Sequence, residues 1–589
     1  MNQRARKGRV SRRGRERHVR VGLLVAIAIG IASVLMAGLA AQAVVARSSC
    51  DDHPLTLNVA VSDDIAPAVQ SVAQLFNRQH HQAARQCVEA KVIPEDPAAV
   101  AAAVDGTSAG GQPVPDGWIP DSSLWVDVAR TLPLGAQRVQ PTGTTVARSP
   151  LMIVMPPGAA AQIPAFNNGI GWSFLLPPAA GGPTSSQQVR VELPDPTQSA
   201  AGLATLVEMT RLLGSGAAAR TSLTTFVRSA QSSAQFGTPG SLAAFVTLAS
   251  PPLDAHPVTV TSEQAVLGYD AAHPGQPLAA RYPTGPAVAL GTPELDYPYL
   301  VTSTDPAEVT AAHEFGTLLQ QGYTAALVRH YGFRSADGTT GTLPAGELAQ
   351  QTLQLAPTAT AAEAQTALQV WRRLQIGSRD LVLMDTSSSM QMPSGFPGVT
   401  LEQELTRTAV LGLALFPDST QMGMWDFADH LNGSLPYRQL VPAGPLPGEM
   451  GLISRRQQLQ QIDMSLHPLG NTPAALNQAI LAAYQQMAAT YQANYTNAVI
   501  VMTAGVDNAP GDIPVATLVS RLHALYNPNR PVELIIVMLG GKGNFPALQQ
   551  IAAAGGGAAY PVTDPTQVGK VFFEATARRI CQNNSCGTP

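Results

Sequence analysis

Four consecutive apolar residues, Leu381-Val382-Leu383-Met384, run straight into Asp385 and the hydroxyl cluster Thr386-Ser387-Ser388-Ser389. An apolar run of that length closed by polar turn residues fits a strand buried on both faces. In a parallel sheet such a strand delivers its last residue to the carboxyl edge, where ligands collect. A second run, Ala498-Val499-Ile500-Val501-Met502, ends in Thr503-Ala504-Gly505, and further strands are expected at 423–427 and 532–539. Helices are expected at 361–375, around 457–464, and from 566 to about 580. The first half alternates in the same way. Leu55-Thr56-Leu57-Asn58-Val59-Ala60-Val61 reads as a strand, and an amphipathic helix follows through Phe76-Asn77. Strands at 88–93 and 151–155, a helix opened by 194–203 and a crossing strand over 295–300 continue the series. Strands alternating with helices imply parallel βαβ units and an α/β fold.

One apolar stretch does not fit that alternation. Residues 21–46 carry no charge, and nine Lys/Arg against Glu16 alone occupy the 20 residues before them. Such a stretch exceeds the roughly 20 residues a helix needs to cross a bilayer, and its basic flank places the N-terminus on the cytoplasmic side. The pattern predicts a basic cytoplasmic tail (1–20) and a single-pass anchor (21–46), with everything after Arg47 extracellular at the cell membrane. A cleaved secretory signal, with Ala41-Gln42-Ala43 as its processing site, is the alternative, and either exports the remainder. Taking the nine basic residues from 36 leaves 27, and taking Glu16 from 40 acids leaves 39, so the chain beyond its first 20 residues has a net charge of −12. That acidity argues against a nucleic-acid partner. The four cysteines, Cys50, Cys87, Cys581 and Cys586, lie in two pairs near the ends of the exported region. This suits structural disulfides, most simply Cys50 with Cys87 and Cys581 with Cys586.

The candidate chemistry gathers at Asp385. Asp385, Ser387 and Ser389 alternate along a tight loop, so a carboxylate and two hydroxyl oxygens can converge, and all-oxygen shells suit Mg2+ or Mn2+. Downstream, Leu469-Gly470-Asn471-Thr472-Pro473 forms a turn before a helix, where Thr472 can add a third hydroxyl. A helix N-cap uses the same residue types. Buried strand, hydroxyl loop, threonine turn and second buried strand together resemble the von Willebrand factor type A domain and its metal-ion-dependent adhesion site. That resemblance implies a Rossmann-like domain with a mostly parallel sheet over 366–580, before a tail at 581–589. Where the family usually has Thr-Asp-Gly, this chain has Thr503-Ala504-Gly505, which implies weak binding of the cation or completion of its shell by a partner. Asp507 is a possible substitute acid.

Residues 50–340 resemble the extracellular solute-binding proteins of ABC-transporter type. The resemblance rests on Trp118-Ile119-Pro120-Asp121-Ser122-Ser123 and Asp195-Pro196-Thr197-Gln198-Ser199-Ala200-Ala201-Gly202. It implies a two-lobed clamp, lobe 1 at about 50–149 and 298–340 and lobe 2 at about 150–297, joined through a linker at 341–365 to the second module. In such a clamp, loops after strands put hydroxyls and helix N-terminal amides at the cleft, where they can hold an oxyanion. Ser62, Ser122, Ser123, Ser149, Ser199 and Tyr297 are the matching positions, although Asp63 and Asp64 beside Ser62 leave the solute's charge open. The histidines form no metal-ligand spacing, and there is no G-x-S-x-G elbow, no Walker loop and no carboxylate pair in a recognisable catalytic context, so no enzyme is expected. The expected protein is a membrane-anchored extracellular binding protein. It recognises a protein or cell-surface ligand through the divalent site and a small solute through the clamp. The alternative is a solute-capture component of an ABC-type transporter with the second module as its docking part.

Overall fold

The computed structural model describes residues 54–578, apart from 109–110, 168–169, 179–188, 232–241, 244, 247–255, 285–289, 347 and 349–350. The basic tail, the apolar stretch 21–46 and Cys50, Cys581 and Cys586 lie outside the described residues. Cys87 is disulfide-bonded. Among the described residues, no helix is long and apolar enough to cross a membrane. The chain divides into two units, one running to Ser149 and resuming at Asp296–Leu343, the other made of Pro150–Leu295 and everything from Pro344.

The first unit is built on a sheet ordered Gln82–Ala83, Gln86–Pro94, Leu55–Val61, Gly117–Ile119, Pro298–Val301, Gln140–Thr145. Leu55–Val61 pairs in parallel with Gln86–Pro94 and Gly117–Ile119, whereas Pro298–Val301 runs antiparallel to both its neighbours. The expected crossing strand over 295–300 is therefore interrupted. Glu294–Leu295 joins a sheet of the other unit and Pro298–Val301 this one, with Tyr297 between them at φ +37°. A bulky residue holds that left-handed backbone only where its surroundings fix it. Here Tyr297 is fully buried, edge-on to Phe333 at 5.2 Å, with its hydroxyl donating to Asp64.

Among the described residues the second unit holds two larger sheets and the two-stranded pair Glu449–Met450 with Ile453–Ser454. In one of the larger sheets, Ala147–Met155 pairs antiparallel with His256–Ser262, which pairs in parallel with Val189–Glu192. The other is ordered Leu435–Pro445, Gln421–Asn432, Ser378–Asp385, Thr496–Thr503, Val532–Leu539, Ala558–Val562, and is parallel except for its first strand. Both of its faces are covered, which explains the unbroken apolar runs. Leu381 and Leu383 belong to one core cluster with helices Leu476–Ala489, Val515–Leu525 and Phe545–Ala554. Val382 and Met384 belong to the other, with helices Leu401–Leu415 and Val568–Ala577.

The stretch expected as a linker, 341–365, is held by hydrogen bonds to residues 280–292. Thr292 N–H donates to the Gln354 carbonyl (2.7 Å) and Ala356 N–H to the Thr292 carbonyl (2.9 Å). Gln351 bonds the Tyr282 N–H and the Ala280 carbonyl. Helix Ala361–Gln375, opened by a reciprocal cap between Thr360 and Glu363, then packs on helix Ala200–Leu213. Arg211 on that helix reaches Glu363 (2.8 and 3.0 Å), Glu208 (2.7 Å) and the Pro357 carbonyl (3.0 Å). These bonds join residues far apart in sequence, so the composition of the stretch carries no record of them.

Candidate functional site

Asp385 ends the central strand Ser378–Asp385 and is 1% exposed. One carboxylate oxygen accepts from the Ser387 backbone N–H (3.0 Å) and hydroxyl (2.6 Å). The other accepts from the Thr503 hydroxyl (2.7 Å) and, at 3.4 Å, the Ala504 N–H. Ser387 Oγ also lies 2.6 Å from Ser389 Oγ, so these three oxygens are drawn together at the carboxyl edge of the sheet. Burial raises the Asp385 pKa, against the pull of these hydrogen bonds. The Thr472 turn is latched to the same loop, since Ser388 N–H donates to the Thr472 carbonyl at 2.8 Å. Adjacent oxygens on an octahedral ion at 2.0–2.1 Å stand about 3 Å apart, so the 2.6 Å spacings need to open by only a few tenths of an ångström to fit Mg2+. The donor set fits a hard divalent cation.

In the first unit, Val61 pairs with Ile119 and Ser62 N–H donates to the Ile119 carbonyl, so Ser62 and the Asp121-Ser122-Ser123 turn sit at one sheet edge. Helix Ser123–Arg130 starts there, but its first amides are taken. Ser122 Oγ accepts from Leu124 N–H (3.2 Å), and Asp296 accepts from Ser123 N–H (2.7 Å). The Ser122 hydroxyl and the Ser123 N–H are thus engaged within the chain, with an internal carboxylate at the helix N-terminus. Burial pushes the Tyr297 pKa well up, and the charges of Asp64, Asp121 and Asp296 around it add to the rise. Burial lifts the Asp64 carboxyl to about 6, with the Tyr297 hydrogen bond opposing. Ser62 Oγ is buried without a hydrogen-bond partner among the described residues. Ser149 is buried within strand Ala147–Met155. Ser199, in the second unit, caps helix Ala200–Leu213 by accepting from Gly202 N–H at 3.4 Å.

Residues 57–334 match the family model of the bacterial extracellular solute-binding protein, and residues 381–574 match that of the von Willebrand factor type A domain. The chain joins a solute-binding domain to a von Willebrand A domain. Solved structures to which it is similar include the sulfate-binding protein SubI from Mycobacterium tuberculosis H37Rv, at 16% identity over 53% of this chain and 96% of that one, TM-score 0.36. Another is the ferric binding protein from Campylobacter jejuni, at 9% identity over 54% and 99%, TM-score 0.39. A third is a von Willebrand factor type A structure from Catenulispora acidiphila, at 19% identity over 35% and 43%, TM-score 0.26. No curated protein matches the chain.

In the A domain, two features escaped the sequence reading. Thr503 marked only a strand end, yet its hydroxyl donates to Asp385 across 118 positions of sequence. Nothing local signals this, because parallel pairing of Ser378–Asp385 with Thr496–Thr503 creates the contact. Asp507 is an exposed loop acid engaged elsewhere. Asn477 Nδ2 donates to it at 2.8 Å, while Asp512 accepts from the N–H groups of Asn477 (2.9 Å) and Gln478 (3.0 Å). The N-terminus of helix Leu476–Ala489, whose Ala475 offers no side-chain cap, gathers these acids.

Proposed function

We propose that the protein is an exported, membrane-anchored binding protein. Its A domain recognises a protein or cell-surface ligand through Mg2+ or Mn2+ held by Asp385, Ser387, Ser389 and Thr472. The observation that carries this reading is the convergence of the buried Asp385 carboxylate with the Ser387 and Ser389 hydroxyls at the sheet edge. With one formal negative charge in that set, a divalent ion keeps net positive charge and an open position that a partner's carboxylate can fill. The missing acid makes the reading testable. Ala504 is 1% exposed and lies in an apolar cluster with Met390 and Leu401. Ala504→Asp is therefore expected to lower the melting temperature of the metal-free full chain and to recover it on adding Mn2+, with affinity raised by about an order of magnitude as charge enters the shell. Calorimetric titration beside thermal melts checks this, and equal Mn2+ affinities in the two chains would count against the site.

The solute-binding domain takes a small solute, and the acidic surroundings of Tyr297 favour a cationic or donor-rich one over an oxyanion. In a thermal-shift panel, small organic cations are expected to stabilise the chain where sulfate and phosphate do not. The reverse order would overturn the preference.

A further inference from the structure

Away from the metal loop, one face of the A-domain sheet does not close fully against its helices. A cavity of about 100 Å3 lies between the strands and helices Leu401–Leu415, Arg455–Ser465 and Val568–Ala577. Its body is apolar, with the thioethers of Met384, Met424 and Met502 in the lining. Two polar side chains in the lining are out of keeping with it. Asp463 is 2% exposed and its Oδ1 has no hydrogen-bond partner among the described residues. Thr408 is fully buried and its hydroxyl likewise has none. A threonine inside a helix ordinarily bonds the carbonyl one turn back, as Thr205, Thr210 and Thr224 do here. Leaving buried acceptors unmade costs roughly 1–3 kcal/mol each, more for a charged group, so such a pair calls for an outside donor. Asp380 also lines the cavity.

We propose that this cavity is a binding site for a small apolar primary amine, its ammonium group placed between Asp463 and Thr408 and its body among the methionines. An ammonium group has three donors and no acceptor, matching a carboxylate and a hydroxyl oxygen that lack donors. Burial pushes the Asp463 carboxyl up to about 7, and a cation beside it offsets that burial and draws it into the ionised form. Benzene occupies an apolar cavity of roughly 150 Å3, so this smaller one suits a short alkyl body of about four carbons, with flexible thioethers taking up differences in shape. The site is independent of the cation reading and needs no metal.

The test uses the full chain, with Met methyl groups labelled for NMR and thermal melts in parallel. n-Butylamine and isobutylamine are compared with 1-butanol and isobutanol as neutral counterparts, and with methylammonium as a cation without a body. The amines are expected to shift the cavity methionine methyls saturably, to raise the melting temperature, and to bind at least tenfold more tightly than the alcohols. Asp463→Asn is expected to erase that preference. Gly412→Leu is expected to weaken both amines, because a Cβ at Gly412 stands 3.4 Å from Val568 and a larger side chain fills the cavity mouth. Amines that bind no better than the alcohols or methylammonium would overturn the proposal and leave internal water as the donor. So would amine binding unchanged in Gly412→Leu, which decides the matter should Asp463→Asn fail to fold.

Discussion

Replacing Arg211 by alanine is expected to destabilise the second unit by roughly 1–3 kcal/mol, the cost of leaving buried hydrogen-bonding groups without their partner. Glu208 is 2% exposed, and burial already pushes it to about 7 despite Arg211 beside it. The same guanidinium holds Glu363 down at about 2, chiefly through its paired hydrogen bonds. The two acids have opposite linkage. Glu208, with a raised folded pKa, favours the native state most below its ordinary value of 4.5, and that contribution is lost as pH climbs towards 7. Glu363, with a depressed folded pKa, contributes above 4.5 and loses that contribution as pH falls towards 2. The Arg211→Ala deficit should accordingly be largest at neutral pH and shrink towards pH 4.5, where Glu208 takes a proton and only the Glu363 contacts are missing. Urea unfolding at pH 7.5 and 4.5 measures this. A deficit below about 1 kcal/mol at both values would show that the bridge is no stronger than a surface ion pair.

Asp385→Ala is expected to abolish Mg2+ and Mn2+ binding while leaving cooperative unfolding intact. The carboxylate is the only formal charge in the proposed cation shell, so its loss removes most of the attraction for a hard ion. Its removal also strands the Ser387, Thr503 and Ala504 donors, at roughly 1–3 kcal/mol for each that stays buried. Against this stands relief from burying the acid, the burial that raises its pKa. The two effects oppose each other, so the sheet should persist. Because a cation needs the ionised form, affinity in the unaltered chain should climb with pH through the shifted Asp385 titration. Calorimetry of both full chains across pH supplies the measurement. Indistinguishable Mn2+ binding by Asp385→Ala and the unaltered chain would reduce the hydroxyl loop to a turn without a ligand.

Strand and helix positions in the A domain were legible because apolar runs buried on both faces leave little choice of structure. Val532–Leu539 and Ala361–Gln375 stand where the apolar pattern places them, and Ser378–Asp385 extends its apolar run by three residues before Leu381 and by Asp385 after Met384. The D-x-S-x-S loop was equally legible, since its three oxygens lie within five residues and need no distant partner to converge. The tertiary structure decided the rest. Parallel pairing brings Thr503 onto Asp385, and a helix N-terminus engages Asp507 through Asn477. Asp296 reaches Ser123 across 173 positions and satisfies an amide that the local pattern offered to an anion. Arg211 joins helices 152 positions apart and turns an apparent linker into a packed connection. The donors and acceptors of these contacts are separated by far more than one element, so their pairing is fixed by how the chain folds back on itself, and only the propensity of each partner is written locally in the sequence.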